Sequence, residues 1–197
     1  EIPQVILQYG EAAAEQKFLE WWGIFGDDYY IELQRHSLKT IDEASVNDFL
    51  IRLSQKYGVK RIATNDSHYI NREDWNAHDT LLCINTGEYK DNPMGDKEQE
   101  IYRFVTSDGQ IINTTMEDIK ARHGNDKRVQ HMLQRMQGKG SKFKPRFGFE
   151  NDQFYFKTKQ EMADLFSDVP DAIENTLEIV EKIQTPELKR DILLPNY

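Results

Sequence analysis

The sequence predicts an α/β protein built on parallel strands. Two short runs of aromatic and β-branched residues carry that expectation, YYIEL at 29–33 and VKRIAT at 59–64. They alternate with stretches whose apolar residues recur at helical spacing, so the first ninety residues read helix, strand, helix, strand, helix. That order is the pattern of parallel βαβ units.

The elements follow in order. From Glu11 to Phe25 the apolar positions Ala14, Phe18, Trp22 and Phe25 fall on one helical face, with Gly26 as the stop. The first strand, 29–33, is bounded by Asp27-Asp28 and by His36-Ser37. Thr40 and Glu43 have the spacing of a capping box, and behind them Val46, Phe49, Leu50, Leu53 and Tyr57 make a second stripe closed by Gly58. After the strand 59–64, Asn71 can cap a helix from about Arg72 to Asn85, with Trp75, Leu81 and Leu82 on its apolar side. Two strands alone do not make a sheet covered on both faces. The chain also has no initiator Met and ends in LLPNY, so a piece of a longer protein is expected.

Three parts are expected: βα units over 1–90, an insertion over 91–150 and terminal helices over 151–197. In the insertion, IYRFVT and QIIN flank Ser107-Asp108-Gly109, a hairpin signal. Thr114 and Glu117 cap a short helix, and a second helix over Asp126 to Gln137 aligns Val129, Met132, Leu133 and Met136. Gly138 to Ser141 reads as a flexible loop. In the third part QFYFK reads as a strand and Thr158 with Glu161 as a capping box before Met162, Leu165 and Phe166. A last helix carries Val169, Ile173, Leu177, Val180 and then Ile183 or Gln184, and the final dozen residues look extended.

Composition narrows the function. Hydrophobic residues are 38% and charged residues 30%, which suits a soluble globular protein. No apolar run approaches a membrane span, and no secretory signal opens the chain. Cys83 is the single cysteine, which excludes an internal disulfide; a cytoplasmic setting is expected, with Cys83 as a packing residue. A net charge of −9 argues against nucleic-acid binding through the average surface. Yet residues 120 to 146 hold nine Lys or Arg against one acid, Asp126. Within that segment Lys127, Arg128 and Arg135 are expected to face outward, either as a solvated helix face or as contacts to nucleic-acid phosphates.

Asp66 and His68 lie just beyond the end of strand 59–64, and Glu32 and His36 at and beyond the end of strand 29–33. Parallel strands gather reactive groups where they end. Two imidazoles with carboxylates suit Zn, Mn or Fe better than Ca or Mg. The alternative is that Asp66 only turns its carboxylate onto nearby loop amides.

Three blocks extend the reading: FGDDYYIELQRHSL, GVKRIATNDSHYINREDWNAHDTLLCINTGEYKDN and FYFKTKQEMADLFSDVPDAIENTLEIVEKI. In order and content they resemble the PHP (polymerase and histidinol phosphatase) domain family as it occurs in bacterial DNA polymerase III alpha subunits. They cover about two thirds of the chain, and only the stretch around 94–147 has no counterpart in the resemblance. The resemblance implies part of a PHP-type (β/α)7 barrel with a mixed α+β insertion and C-terminal helices. It implies a cluster of up to three divalent metals, with the family's last ligand motif on Asp66 and His68. His36 stands where several alpha subunits place a His. His78 is expected to be structural. The family's opening His-x-His and middle ligands are not in this chain, so tight metal binding by it alone is not expected, and no catalytic residue is assigned within it.

By the same resemblance the parent is a DNA-directed polymerase of replication, with DNA, a proofreading exonuclease and a sliding clamp as partners and no membrane. Its PHP domain would be a metal-dependent phosphoesterase, a 3′–5′ exonuclease or a pyrophosphatase. Two alternatives stand beside this: a scaffold that docks the proofreading subunit, and a free-standing PHP phosphatase.

Overall fold

The computed structural model describes residues 1–38, 41–95, 101–137 and 145–185. In chain order the elements are α1 (Ile2–Tyr9), α2 (Glu11–Phe25), β1 (Ile31–Gln34), α3 (Glu43–Tyr57), β2 (Arg61–Thr64), α4 (Trp75–Thr86), β3 (Tyr102–Val105), β4 (Ile111–Thr114), α5 (Met116–His123), α6 (Lys127–Gln137), α7 (Lys159–Leu165) and α8 (Asp171–Lys182). The chain divides into two units. Glu1–Arg35, Asp42–Thr64 and Lys157–Tyr197 form the first; His36–Ile41 and Asn65–Phe156 form the second.

In the first unit β1 and β2 pair in parallel, with Ile31 opposite Arg61 and Gln34 opposite Thr64. The alternation of helices and strands therefore holds here. Both strands start later than the sequence runs suggest. A 3-10 turn at Gly26–Asp28 precedes β1, and the Val59 amide donates back to the Ser54 carbonyl at 3.1 Å instead of entering the ladder. Gly58 makes that return possible, since its φ of 66° is left-handed. The cap of α3 differs from expectation. Asp42 is its N-cap and accepts the Ser45 amide at 3.2 Å and the Ser45 hydroxyl at 2.7 Å. Thr40 lies outside the described residues. The helix α1 was not foreseen; Pro3 sits in its first turn, where no N–H is needed, and Ile2 is buried.

Phe18, Leu33, Phe166, Ala14 and Ala172 are sealed in one core. The α8 stripe turns out differently from its sequence reading. Val169 and Ala172 are buried, but Leu177, Val180 and Ile183 are exposed. Steps of four residues drift by about 40° each on a 3.6-residue helix, so the run 169, 173, 177 winds off the contact. The inner face is continued instead by Asn175, whose Nδ2 donates to the Arg61 carbonyl at 3.0 Å.

Ion pairs tie α8 and its approach to the strands. Asp171 is bidentate to Arg61 at 2.8 Å, and Asp168 to Arg35 at 2.6 and 2.8 Å. Each guanidinium holds its partner carboxyl below the ordinary range. Lys60, with help from the Tyr30 hydroxyl, pushes Glu178 down to about 2. Carboxyls depressed in the folded state lend stability that is present above their unfolded values, near pH 4, and lost as pH falls through the folded ones. We expect the melting temperature by circular dichroism to be flat above about pH 5 and to fall steadily from about pH 4 towards pH 2. A melting temperature unchanged down to pH 2 would sink this account.

In the second unit β3 and β4 form the expected antiparallel hairpin, with Tyr102 opposite Thr114. Phe104, Ile119, Val129 and Met132 make its core, with Leu133 packed against them. The side chain of Met136 lies outside the described residues, as do the 138–141 loop and the last dozen residues. The α5 cap is shifted by one residue. Thr115 accepts the Asp118 amide, because Thr114 is still the last residue of the ladder. QFYFK is not a strand but a single bridge, Tyr155 to Tyr69. On α4, Leu81 is exposed, and the buried positions are Asp79 and Cys83. Desolvation raises the Cys83 pKa, which keeps the thiol protonated.

Candidate metal centre

All three candidate ligands fall in the second unit. Asp66 adopts φ 45°, a left-handed conformation that Asp tolerates better than most residues. That bend brings the His68 ring back over it. His68 Nδ1 lies 2.8 Å from the Asp66 backbone carbonyl. A carbonyl only accepts, so Nδ1 carries a proton, and in the neutral ring the lone pair is on Nε2. The Asp66 carboxylate is 4.0 Å from Nδ1 and about half exposed. The His68 amide donates to the Phe154 carbonyl at 2.8 Å, which fixes the loop.

His36 is buried, at 3% exposure, and stacks on Phe154 with ring centroids 4.2 Å apart and 7° between planes. Its Nε2 donates to the Asn65 carbonyl at 2.9 Å. His68 meets the same Phe154 edge-on at 6.0 Å and packs on Phe149 at 4.6 Å. His36 and His68 thus share Phe154, and His36 bonds the carbonyl of Asn65, the chain neighbour of Asp66.

Their chemistry is unequal. Asp66 and His68 offer a carboxylate and an Nε2 lone pair, donors that suit Zn, Mn or Fe, and a ligating imidazole commonly gives its other N–H to a carbonyl. His36 has committed Nε2 to the Asn65 carbonyl. Glu32, in the first unit, accepts the Thr64 hydroxyl at 2.6 Å. Among the described residues, no group of three or more His, Cys, Asp or Glu is placed to hold a metal ion.

His78 packs between Tyr69 at 5.3 Å and Phe149 at 4.9 Å, with His68 at 5.6 Å. Its Nδ1 is buried without a hydrogen-bond partner. Desolvation first, and the nearby His68 second, lower its pKa and favour the neutral ring.

The basic helix α6 departs from its expected pose. Lys127 is exposed, but Arg128 and Arg135 lean inward, their side chains 32% and 29% exposed. The seven-residue spacing does bring them together, onto Asp91 at 3.8 and 3.9 Å. The sequence reading passed over that acid. It also missed the buried pair of Asp79 with Arg146, 2.6 and 2.9 Å apart. A signal existed, because Asp79 sits four residues from both Trp75 and Cys83, on the inner face of α4.

No protein-family model matches the chain. It is 32% identical over 181 residues to the DNA polymerase III subunit alpha of Borreliella burgdorferi, covering 92% of this chain and 11% of that protein. Against the DNA polymerase III subunit alpha of Thermus aquaticus it is 43% identical over 93 residues, 47% of this chain and 8% of the relative. Against that of Pseudomonas fluorescens it is 29% identical over 197 residues, all of this chain and 12% of the relative, so that match runs through residues 94–147 as well. The chain spans about a tenth of the length of these relatives. Among the described residues, no helix is long and apolar enough to cross a membrane.

Proposed function

The chain belongs by sequence with a segment of DNA polymerase III subunit alpha, and on that footing we propose that it is the closing part of that subunit's PHP domain, a metal-dependent phosphoesterase within a replicative DNA polymerase. One observation carries the metal reading: the Asp66 loop turns the His68 Nδ1–H onto its own carbonyl and so presents Nε2 as a donor beside the Asp66 carboxylate. A bound divalent metal would supply hydroxide from water near neutral pH and neutralise charge on phosphate oxygens. Asp66 would contribute a negative ligand, and His68 a neutral one whose orientation its carbonyl contact fixes. Remaining ligands would come from outside this chain. DNA, a proofreading exonuclease and a sliding clamp would be the parent's partners, in the cytoplasm.

In the full-length alpha subunit, Asp66→Asn and His68→Ala should each lower metal-dependent hydrolysis of a phosphodiester by at least about 100-fold, since even residues that only orient ligands cost 10–100-fold. Unchanged hydrolysis would end this reading. The scaffold alternative draws on a specific observation, the burial of His36 with Nε2 already committed. It expects no metal-dependent hydrolysis at all.

The 197-residue chain alone should hold divalent metal weakly, because two ligands leave most positions to water. Elemental analysis after dialysis tests this, and one tightly held metal per chain would contradict it.

A further inference from the structure

The hairpin of the second unit is paired unequally on its two sides. β3 has neighbours along both edges. On one edge it pairs with β4, Tyr102 opposite Thr114 and Val105 opposite Ile111. On the other, the Arg103 amide donates to the Met94 carbonyl at 2.7 Å, and the Arg103 carbonyl accepts the Met94 amide at 2.9 Å. Since both backbone groups of Arg103 turn towards Met94, Arg103 and Asn113 face each other in the β3–β4 ladder without exchanging bonds, and the Asn113 N–H and C=O point away from β3. The ladder alternates, so Ile111 turns its N–H and C=O the same way, while Ile112 and Thr114 direct theirs to β3. Among the described residues no strand or bridge lies along this outer edge of β4, and Ile111 and Asn113 are exposed. The edge also lacks the usual guards against pairing. From Gly109 to Thr115, in a chain that is 30% charged, there is no charged residue and no proline, and the register runs without a bulge.

We propose that this edge is a self-association surface, on which β4 of a second copy of the chain adds antiparallel to β4 about a two-fold axis. The spacing of the free groups selects that occupant. They lie one residue to each side of Ile112, so a two-fold rotation sets Ile111 opposite Asn113 of the other copy, and Asn113 opposite its Ile111. Each of those pairs then exchanges both backbone bonds. The same rotation lays the two Ile112 side chains next to each other. Ile112 packs against the core of Phe104, Ile119, Val129 and Met132, so the apolar cores of both copies continue across the junction. With no charge along the edge, the copies meet there without the repulsion that their net charge of −9 sets up elsewhere. A joint made by one short strand buries far less than the roughly 1,200 Å² of a stable interface, so the dimer forms at about 100 μM and above. Nothing in this reading depends on metal binding at Asp66 and His68.

The test is sedimentation velocity of the 197-residue chain, with amide hydrogen exchange followed on the same samples. The chain should pass from monomer to dimer between about 10 μM and about 1 mM. Salt at about 0.5 M should leave the dimer intact or strengthen it, because screening quiets the repulsion between two negative copies. Over the same concentrations the Ile111 and Asn113 amides should gain protection from exchange, while Ile112 and Thr114 are protected throughout. Two double variants test the register, since position 111 of one copy faces position 113 of the other on the exposed side. Ile111→Lys with Asn113→Lys sets like charges at both contacts and should weaken the dimer about tenfold, although it makes each copy less negative. Ile111→Lys with Asn113→Glu sets opposite charges there and should stay within about threefold of the unmodified chain. A chain that stays monomeric to about 1 mM overturns the proposal, and leaves the edge to water or to a segment of the same chain. Equal effects of the two double variants overturn it too, and place any dimer on another surface. So does a dimer that dissociates in salt, which would be an ionic contact of the basic 120–146 segment with an acidic surface. Should either double variant fail to fold, the exchange rates of the unmodified chain decide: protection at 111 and 113 that does not rise with concentration refutes the pairing.

Discussion

Arg146→Met will cost the chain about 3–5 kcal/mol of stability, the range for breaking a buried ion pair from one side. Arg146 and Asp79 have side chains only 1% and 4% exposed. The guanidinium is fully engaged: Nη1 and Nη2 reach the two Asp79 oxygens at 2.6 and 2.9 Å, and Nε donates to the Asn92 carbonyl at 2.9 Å. Methionine fills much of the same space but supplies no donor. Asp79 would then be a buried carboxylate with Lys90 at 4.0 Å, too distant to bond it. The double variant Arg146→Met, Asp79→Leu should recover most of the loss, because replacing both partners removes the stranded charge. Urea denaturation gives both numbers from the shift in midpoint at constant slope. A single-variant cost below about 1 kcal/mol would mean that Asp79 finds water or takes up a proton instead. The consequence reaches the candidate site, because the Arg146 amide also bonds the Pro93 carbonyl, and three residues on Phe149 packs against His68. Close packing allows little slack there. A Cβ on Gly148 would stand 2.3 Å from the Met94 sulfur.

What the sequence made legible depended on how local each signal is. The helix Glu11–Phe25, the parallel pair of strands and the Thr158–Glu161 box rest on period or on contacts within four residues, and all three are present. The failures come from choices between adjacent polar groups or from partners far along the chain. Asp42 caps α3 because a carboxylate sits next to the first turn, one residue from the Glu43 that Thr40 was expected to use. QFYFK has strand composition, but in its unit it meets only Tyr69. For the candidate site, the Asp-x-His spacing located Asp66 and His68, and the ring contact that brings His36 near runs through Phe154, more than a hundred residues later. Nothing in the local pattern announces such a contact. The inward lean of Arg128 and Arg135 likewise depends on Asp91, outside their helix.

Phe18→Ala will be the costliest single change in the first unit, at about 3–5 kcal/mol. The ring has no solvent exposure. It packs parallel to Trp22 at 5.8 Å, edge-on to Tyr29 at 5.7 Å and tilted against Tyr57 at 5.3 Å, so one ring joins α2, the approach to β1 and the end of α3. Truncation loses the transfer energy of the ring and leaves a cavity whose walls belong to three separate segments, which limits their collapse. Phe25 is the control. Sequence spacing put it on the same face as Phe18, yet at the last turn of α2 it is 52% exposed. Phe25→Ala should therefore change stability by no more than about 0.5 kcal/mol, the usual span for a surface position. Trp22 reports the difference directly, because loss of its stacking partner should shift its emission in the Phe18→Ala chain before denaturant is added. Equal costs at positions 18 and 25 would mean that α2 presents a different face to the core from the one described here.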